Sequence, residues 1–327
     1  MPDEMRSAVS RRRFLWMAGG AGLLTAFGGI AGCGAGGPVT IASHVWPGYE
    51  FMFLASKMGW LAAEDATLIE TGSASESLQA LMAGKAIGAA LTLDETLRGI
   101  QMGIPLTIVL LFDVSTGGDA LMARPHIRDL ASLKGARIGV ETTALGALML
   151  ASILQKAGLT RHDVKVVNVP ADAHLKVWHD GAVDAIVSYD PVLKQIQEAG
   201  GVRLFDSREI PNKIFDVLAV HRDHAASYQR QLTSLIKAHF RGLRAWQVNP
   251  VDTAYRLSQR LGVRAEEVAD LYRGLDLPDL VFNRHMLTPP HEILSTAAAD
   301  IAAIMELPSG LVTDHLFSPN YLPADVE

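Results

Sequence analysis

Residues 84–97 read GKAIGAALTLDETL, and residues 181–193 read GAVDAIVSYDPVL. With a one-residue slip, Asp94 aligns with Asp190 and Leu97 aligns with Leu193. In each copy a short strand-like run ends near an acidic residue and leads into a helical pattern. Two lobes built on the same strand–helix plan explain this repeat, and a chance match of alanine-rich segments is the alternative.

Around these stretches, strand-like runs alternate with helical patterns that end in glycine. The predicted strands are residues 39–43, 66–70, 87–91, 106–112, 137–140, 164–169, 185–188, 202–205 and 216–221. This alternation indicates an α/β fold with doubly wound, mainly parallel sheets and helices on both faces. After about residue 224 the pattern is almost entirely helical. Open α/β sheets bind ligands at the carboxyl ends of their strands, so two facing lobes predict a cleft between them.

Composition excludes several classes of protein. The 327 residues are 49% hydrophobic and carry a formal net charge of -6, which fits about two folded domains and gives no positive field for nucleic acid. The single cysteine, Cys33, excludes an intramolecular disulfide and any cysteine-rich metal centre. We predict no metal site and no cofactor. The nearest set of histidines is His285, His291 and His315, which we interpret as surface or helix-end residues.

The first 32 residues have the pattern of an export signal. Three arginines, residues 11–13, precede nineteen uncharged residues, 14–32, and residues 30–33 read Ile-Ala-Gly-Cys. The arginines followed by Phe-Leu resemble a twin-arginine (Tat) signal, and Ile-Ala-Gly-Cys resembles the lipobox of bacterial lipoproteins. We therefore expect removal of residues 1–32, lipidation of Cys33 and a flexible tether over residues 33–38, with an uncleaved membrane helix as the alternative.

Several motifs, in this order along the chain, resemble a known protein family. They are Trp46-Pro47-Gly48-Tyr49-Glu50, Gly72-Ser73-Ala74-Ser75, Leu91-Thr92-Leu93-Asp94-Glu95, the run from Asp113 to Asp119, the Leu-Lys-Gly-x-x-Ile-Gly-Val run of residues 133–140, Gly181-Ala182-Val183-Asp184-Ala185 and Tyr189-Asp190-Pro191. Together they resemble the periplasmic solute-binding proteins of ABC importers for nitrate, sulfonates, taurine and thiamine-pyrimidine precursors. The resemblance implies a two-lobed, type II-like binding-protein fold.

The resemblance also implies a discontinuous first lobe. Lobe 1 would comprise residues 39–123 and 218–327, and lobe 2 residues 124–217. The hinge would lie where the chain crosses between the lobes, near residues 121–123 and 217–219. Both crossings are apolar strand-like runs, as a two-strand hinge requires.

Candidate ligand-binding residues follow the predicted strands. They are Trp46, Tyr49, Glu50, Ser73, Ala74, Ser75, Asp94, Asp113, Ser115, Glu141, Thr142, Thr143, Tyr189, Asp190 and Asp216. Hydroxyl groups at helix N-termini suit an oxyanion, but these loops contain no arginine, and Lys213 is the only nearby cation. The excess of carboxylates and aromatic rings instead favours an amine, a pyrimidine or a zwitterion, with a sulfonate as the alternative.

The acidic residues have a second interpretation, in which they cap helices and do not bind the ligand. Ser73 and Thr92 each precede a glutamate by three positions, as in a capping box. Asp94 and Asp190 fit a ligand role and a helix-capping role equally, whereas Glu76, Glu95 and Asp172 fit capping better.

The predicted function is capture of a small polar solute by closure of the lobes, followed by delivery to an ABC permease and its ATPase. We expect a monomer, lipid-anchored on the extracytoplasmic, periplasmic side of a membrane in the cell envelope, that is not an enzyme. The alternatives are an enzyme of thiamine-pyrimidine or related metabolism on the same fold, and a ligand-sensing lipoprotein. No nucleophile elbow, phosphate-binding loop or His-Glu-x-x-His motif occurs in the sequence.

Overall fold

The computed structural model describes residues 37–308 and 310–326. The predicted signal peptide, Cys33 and most of the tether lie outside the described residues. Within them the strands are β1 Val39–Ser43, β2 Ala66–Glu70, β3 Gly88–Thr92, β4 Leu106–Ser115, β5 Asp119–Ala123, β6 Arg137–Val140, β7 Lys165–Asn168, β8 Ala185–Tyr189, β9 Val202–Asp206, β10 Phe215–His221 and β11 Leu275–Asp276. All nine predicted strands are present, and the sequence analysis missed only β5 and β11 in this part of the chain.

Helices separate most of these strands and fill the C-terminal region. In the described part of the chain they are α1 Glu50–Lys57, α2 Ala74–Met82, α3 Leu93–Gln101, α4 Gly146–Ala157, α5 His174–His179, α6 Val192–Glu198, α7 Arg222–Ala225, α8 Gln229–Val248, α9 Pro250–Leu261, α10 Val268–Leu271, α11 Leu280–Leu287 and α12 Glu292–Ile304. Local signals explain several boundaries. Pro250 begins α9 after an Asn249 cap, and α4 ends at Gly158, whose φ of 66° is left-handed.

The strands form two mixed sheets, and the five strands of the second have the same arrangement as five of the six strands of the first. The first sheet has the order β11-β4-β10-β3-β1-β2 and the second has the order β7-β6-β8-β5-β9. In each, three parallel strands adjoin an antiparallel strand, β10 in the first sheet and β5 in the second. β3 and β8 hold equivalent places, as the sequence repeat predicts. The α/β class and the two-sheet, doubly wound architecture are confirmed.

The chain crosses between the sheets at two places. β5 pairs with β8 and β9 of the second sheet, and β10 pairs with β3 and β4 of the first. The crossings therefore lie at residues 116–118 and 207–214. The predicted boundary after residue 123 differs from this pairing because it assigns all of β5 to the first lobe, and the predicted crossing at residues 217–219 falls inside β10.

Hydrophobic packing covers both faces of the first sheet. Ile41 and Leu218 pack on the face covered by α1 and α8, and the adjacent Ala42 and Ala219 pack against α2 on the opposite face. A further buried cluster joins the two sheets through β4, β6, α4 and α12, and includes Leu111, Ile138, Leu148 and Ile301. None of the helices over residues 37–308 and 310–326 combines the length and apolarity needed to cross a bilayer.

A buried carboxylate cluster as candidate binding site

Strand register brings three aspartates to the edge at which the parallel strands end. Asp113 of β4 lies opposite Asp216 of β10, and Asp216 also lies opposite Thr92, the last residue of β3. Asp119 begins β5 and lies opposite Tyr189, the last residue of β8. β5 and β10 run antiparallel to their neighbours, so their first residues lie beside the last residues of the parallel strands. With Asp94, at the start of α3, these residues define the carboxylate cluster: Asp94, Asp113, Asp119 and Asp216.

Two aromatic side chains that follow β1 donate hydrogen bonds to aspartates of the cluster. The indole Nε1 of Trp46 donates to Oδ2 of Asp113 at 2.9 Å, and the hydroxyl of Tyr49 donates to Oδ1 of Asp216 at 2.5 Å. Gly48 lies between these two aromatic residues, and a Cβ atom there would overlap Oδ2 of Asp113. Only glycine permits this close approach of the loop to the carboxylate.

The loop after β3 forms a capping box with an added aspartate. Glu95 Oε2 accepts the Thr92 N–H at 2.8 Å, and the Thr92 Oγ1 accepts the Glu95 N–H at 3.4 Å. The Thr92 hydroxyl also donates to Asp94 Oδ1 at 2.6 Å. The capping interpretation of Glu95 is therefore confirmed. The other oxygen of Glu95 accepts the backbone N–H of Leu145 at 3.0 Å, which connects this loop to the second sheet.

Ser75 makes two further contacts across the cleft. Its backbone N–H donates to Glu141 Oε1 at 3.2 Å, and its hydroxyl lies 2.5 Å from the Thr143 hydroxyl. Ser115 contacts Ser207 at 2.8 Å between the two crossings. Of these predicted site residues, Glu141 and Thr143 therefore contact Ser75 across the cleft, whereas the partner of Ser115 is Ser207.

Each aspartate of the cluster keeps one buried oxygen without a hydrogen-bond partner among the described residues. These atoms are Oδ2 of Asp94, Oδ1 of Asp113, Oδ2 of Asp119 and Oδ2 of Asp216. Because the low-dielectric surroundings penalise the charged form, burial raises the pKa of Asp94 to about 6, of Asp113 to about 7 and of Asp119 to about 8. Burial, followed by repulsion from Asp113 and Asp119, raises the pKa of Asp216 well above its usual value.

Cations contribute little to this cluster. Arg98, one turn after Asp94 on α3, opposes the effect of burial on the pKa of Asp94. Lys213, which the sequence analysis placed near the site, instead forms an ion pair with Asp300 on α12. The cluster can therefore accept N–H donors or neutralise a cation.

Other predicted residues lie outside the cluster. Ser73 caps α2 by accepting the Glu76 N–H at 3.4 Å, and Ala74 begins that helix. Thr142 donates to Asn168 within the second sheet at 2.8 Å. Glu50 forms an ion pair with Arg260 beside a different cavity, and Asp190 lines a cavity with Lys194 and Arg203.

Four side chains at the site were not predicted: Asp119, His44, His174 and Ser188. His44 packs edge-on against Tyr49, with ring centroids 5.4 Å apart. His174 Nε2 donates to the Val169 carbonyl at 3.1 Å, so Nδ1 accepts from Ser188 at 3.0 Å. Burial lowers the pKa of His174 to about 4, which keeps the ring neutral. Asp119 could have been found by its place at the start of an apolar run, had that run been predicted as an antiparallel strand.

A small cavity lies between the sheets. Its lining residues belong to the second lobe, among them Asp119, Glu141, His174 and Tyr189, except for Glu95 of α3, which lines it from the first lobe. Its volume of about 20 Å³ is room for about one water molecule. Tyr189 also contacts an aromatic residue of the first lobe: its ring packs edge-on against Trp46, with ring centroids 5.7 Å apart. Within the described residues, no three His, Cys, Asp or Glu side chains are arranged to hold a metal ion.

Solved structures with this fold include binding proteins and an enzyme. The alkanesulfonate-binding protein SsuA from Xanthomonas axonopodis pv. citri, bound to MOPS, has a TM-score of 0.70 and 17% identity, with coverage of 88% of this chain and 98% of that chain. The periplasmic nitrate-binding protein NrtA from Synechocystis PCC 6803 has a TM-score of 0.61 and 12% identity, with coverage of 86% and 91%. The desulfurization enzyme DSZB has a TM-score of 0.61 and 16% identity, with coverage of 86% and 97%.

These similarities confirm the periplasmic-binding-protein fold that the sequence motifs implied. No curated protein sequence matches the chain. The model of the NMT1-like family matches residues 38–261. Because this match covers more than half of the 327 residues, the chain belongs to the NMT1-like family.

Proposed function

We propose that this chain is the extracytoplasmic solute-binding component of an ABC importer and that its solute is a small molecule rich in N–H donors. The carboxylate cluster carries the proposal, because four buried aspartates each present an oxygen without a hydrogen-bond partner among the described residues. An unpaired buried polar group costs about 1–3 kcal/mol, so a bound N–H donor would recover this energy. An amine, an aminopyrimidine, a guanidino compound or a zwitterion has such donors.

The surroundings of the cluster favour a cation over an oxyanion. Nitrate or a sulfonate would further oppose the ionisation of carboxyl groups whose pKa values burial already raises, whereas a cation would favour their ionisation. The Tyr189 ring, which packs against Trp46, offers an aromatic surface for stacking or a cation–π contact of about 0.5–2 kcal/mol. The binding of alkanesulfonate or nitrate by proteins of the same fold is therefore compatible with a different solute here.

Capture by hinge closure fits the two crossings of the chain. Residues 116–118 and 207–214 connect the sheets, and the Ser75 and Glu95 contacts bridge the cleft opposite them. A cavity of about 20 Å³ is too small for a solute with several heavy atoms, so such a solute enters only when the lobes separate. The closed lobes would then dock on a permease that is powered by its own ATPase.

The N-terminal segment supports a location outside the cytoplasm. A Tat-like signal over residues 1–32, lipidation of Cys33 and a short tether would hold a monomeric binding protein at the extracytoplasmic face of a membrane.

An enzyme is the second candidate, because DSZB shares the fold and the Ser188–His174 contact lies in the cleft. The pair is poorly suited to activate a nucleophile. Burial lowers the pKa of His174 to about 4, and its second nitrogen donates to a backbone carbonyl, where no carboxylate supports it. Turnover of a bound solute by the purified chain would favour this candidate. The sensor alternative predicts a chain that binds solute without a partner permease.

A thermal-shift screen of the purified chain tests the proposed function. Amines, guanidino compounds and aminopyrimidines should raise the Tm, while taurine, nitrate and alkanesulfonates should not, because a ligand of the folded state adds RT ln(1 + [L]/Kd) to the stability. Asp113→Asn should reduce the shift, whereas Asp129→Asn, at an exposed turn, should not. Stabilisation by the anions alone would contradict the cationic assignment.

A further inference from the structure

Glu50 opens onto a second cavity, separate from the carboxylate cluster. This cavity has a volume of about 900 Å³ and lies along β2, between α1 and α9. Its volume is typical of cavities that hold small molecules. Tyr49 and Glu50 are consecutive, yet the Tyr49 hydroxyl contacts Asp216 while the Glu50 carboxylate contacts Arg260 at this cavity.

In the Glu50–Arg260 pair, Glu50 is buried, Arg260 is half-buried, and two of the guanidinium nitrogens have no hydrogen-bond partner among the described residues. The Glu50 side chain is 1% exposed and the Arg260 side chain is 16% exposed. Nη1 of Arg260 donates to Glu50, whereas Nε and Nη2 have no hydrogen-bond partner among residues 37–308 and 310–326. The guanidinium carbon lies 3.4 Å from the centroid of the Phe53 ring, which covers one face of the group.

Nε and Nη2 form the edge of a guanidinium that matches a carboxylate. Elsewhere in this chain, Arg137 uses these two nitrogens to hold Asp184 at 3.0 and 2.7 Å. Arg208 uses the same two nitrogens to hold Asp206 at 2.9 and 2.6 Å. Two parallel N–H···O bonds make this the strongest and most specific arginine–carboxylate contact. In Arg260 the equivalent edge is unused.

One acidic side chain stands near that edge. Glu70 Oε2 lies 3.7 Å from Arg260 Nε, beyond hydrogen-bond distance, and its side chain is 68% exposed. An exposed side chain can move without disturbing the core. The other charged groups at the cavity are cationic: Arg256, which is paired with Asp252, and Lys57, which donates to the Arg256 carbonyl at 3.5 Å.

The geometry points to a second small-molecule site, in which the Nε and Nη2 edge of Arg260 binds the carboxylate of a ligand with a compact apolar body. The apolar body would contact Phe53, Leu54, Leu61 and Leu257, which line the cavity. Glu50 is a positioning residue, because it holds Nη1 and so fixes the orientation of the guanidinium. Glu70 competes with the ligand carboxylate for Nε and moves aside when the ligand binds.

Benzoate is a suitable probe, because it combines a carboxylate with a compact apolar ring. Titration of the full chain with benzoate, followed by calorimetry and by the NMR signals of arginine Nε–H groups, measures the binding. The uncharged analogue benzamide and the smaller acid acetate are the matched ligands. Benzoate should bind one site and shift the Arg260 signal, and both analogues should bind at least about fivefold more weakly.

Three variants identify the groups responsible. Glu70→Gln removes the competing charge and should tighten benzoate binding about threefold or more, because the Glu70 carboxylate no longer attracts Arg260 or repels the benzoate carboxylate. Arg260→Lys retains the positive charge but loses the paired donors and should weaken binding about tenfold or more. Arg264→Lys, at an exposed arginine outside the cavity, should have no effect.

The proposal is overturned if benzoate binds no better than benzamide to both the wild type and Glu70→Gln, or if folded Arg260→Lys binds benzoate normally. If circular dichroism shows that Arg260→Lys does not fold, the Glu70→Gln result decides alone: tighter binding supports the site, and unchanged or absent binding overturns it.

Discussion

Asp113 and Asp216 are direct neighbours across the β4–β10 pair, and both are buried in the same carboxylate cluster. Trp46 donates to one and Tyr49 donates to the other. Repulsion from Asp113 adds to burial in raising the pKa of Asp216. Two carboxyl groups this close cannot both ionise cheaply, so the pair holds a proton at pH values where isolated aspartates have lost theirs. A cationic solute would favour release of that proton.

The cluster should make the ligand-free protein less stable as the pH rises from about 6.5 to 8. Burial raises the pKa of Asp113 and Asp119 from 3.8 to about 7 and about 8, so the folded state binds more protons than the unfolded state in this range. The stabilisation that a raised pKa provides is fully present at pH values below the pKa of the unfolded state. It is lost as the pH rises to the pKa of the folded state. The expected loss for Asp119 alone is about 1–2 kcal/mol, on the scale of 1.4 kcal/mol per pKa unit.

The buried histidines set the lower limit, about pH 6.5, of the pH range in which this loss of stability is expected. Burial lowers the pKa of His44 and His239 to about 3 and that of His174 to about 4, from 6.5. Their stabilisation grows with pH up to about 6.5 and is constant above it, so it opposes the aspartates only at lower pH. Urea unfolding at several pH values measures the slope.

Asp119→Asn should flatten the slope between pH 6.5 and 8, because asparagine does not titrate and retains an oxygen for Ser115. Asp129→Asn changes an exposed aspartate whose pKa is lowered, so its slope in this window should equal that of the wild type. Equal slopes for Asp119→Asn and the wild type would show that Asp119 is not the source of the pH dependence.

The Tyr49 hydroxyl should stabilise the fold through Asp216. Tyr49→Phe keeps the ring, which packs against Phe112 at 5.0 Å, and removes the donor to Asp216. A buried carboxyl oxygen without its donor costs about 1–3 kcal/mol, which urea unfolding at pH 6.5 would detect. Tyr255→Phe, at a 74% exposed residue, is the control and should leave stability unchanged. A loss below about 0.5 kcal/mol would mean that Asp216 finds another partner.

Gly48 should be essential to the geometry of the binding site. A Cβ atom there would overlap Asp113 Oδ2 and would also lie 3.2 Å from the Trp46 indole nitrogen. Gly48→Ala should therefore displace Asp113, destabilise the chain by about 1–3 kcal/mol and reduce the ligand-induced Tm shift. Gly37→Ala adds the same methyl group where no atom lies within 4 Å, and it should change neither quantity. Normal binding by Gly48→Ala would remove Asp113 from the site.

Ser75 and Thr143 should favour the closed arrangement of the lobes. Their hydroxyls are 2.5 Å apart across the cleft, and the Ser75 N–H also donates to Glu141. Ser75→Ala and Thr143→Ala should each increase the open population, and the double variant should add little. The shared hydrogen bond corresponds to about 0.5–1.5 kcal/mol, or roughly a two- to tenfold change in the closed-to-open ratio.

Fluorescence transfer between labels on the two lobes measures this ratio without any solute. Labels at Glu64→Cys and Asp180→Cys, both exposed positions, require replacement of Cys33, the only cysteine of the chain. Ser132→Ala removes an exposed hydroxyl that bonds within the second lobe, so it controls for the substitution itself. Equal transfer efficiencies in the Ser75→Ala variant and this control would exclude a role in closure.

The sequence predicted the parallel strands well because each carries a local signal: a short apolar run, a helical pattern and a glycine. Asp94, directly after β3, and Asp113, near the end of β4, follow from the same logic. Asp119 did not, because the strand that it begins, β5, was not predicted as a strand. The pairing of that strand also determines where the chain crosses between the sheets.

Glu50 shows a second limit of sequence analysis. It follows two residues of the cluster loop, so a shared role in the cleft was the natural expectation. In the structure, its partner is Arg260, which lies 210 residues further along the chain, and the buried pair faces another cavity. Only the tertiary packing of α1 against α9 brings these charges together, and neither helix carries a local sequence signal of that contact.

The N-terminal motif predicts that Cys33 anchors the protein to a membrane. Cys33→Ala should move the protein from the membrane fraction to the soluble fraction, because the covalent lipid would be lost and each buried CH₂ group contributes about 0.8 kcal/mol to membrane binding. Gly34→Ala keeps the cysteine and should remain in the membrane fraction. An uncleaved helix over residues 14–32 would retain both variants in the membrane. Fractionation with mass spectrometry of the N-terminus therefore separates the two: a lipidated Cys33 supports the anchor, and an intact residue 1 in membrane-bound Cys33→Ala contradicts it.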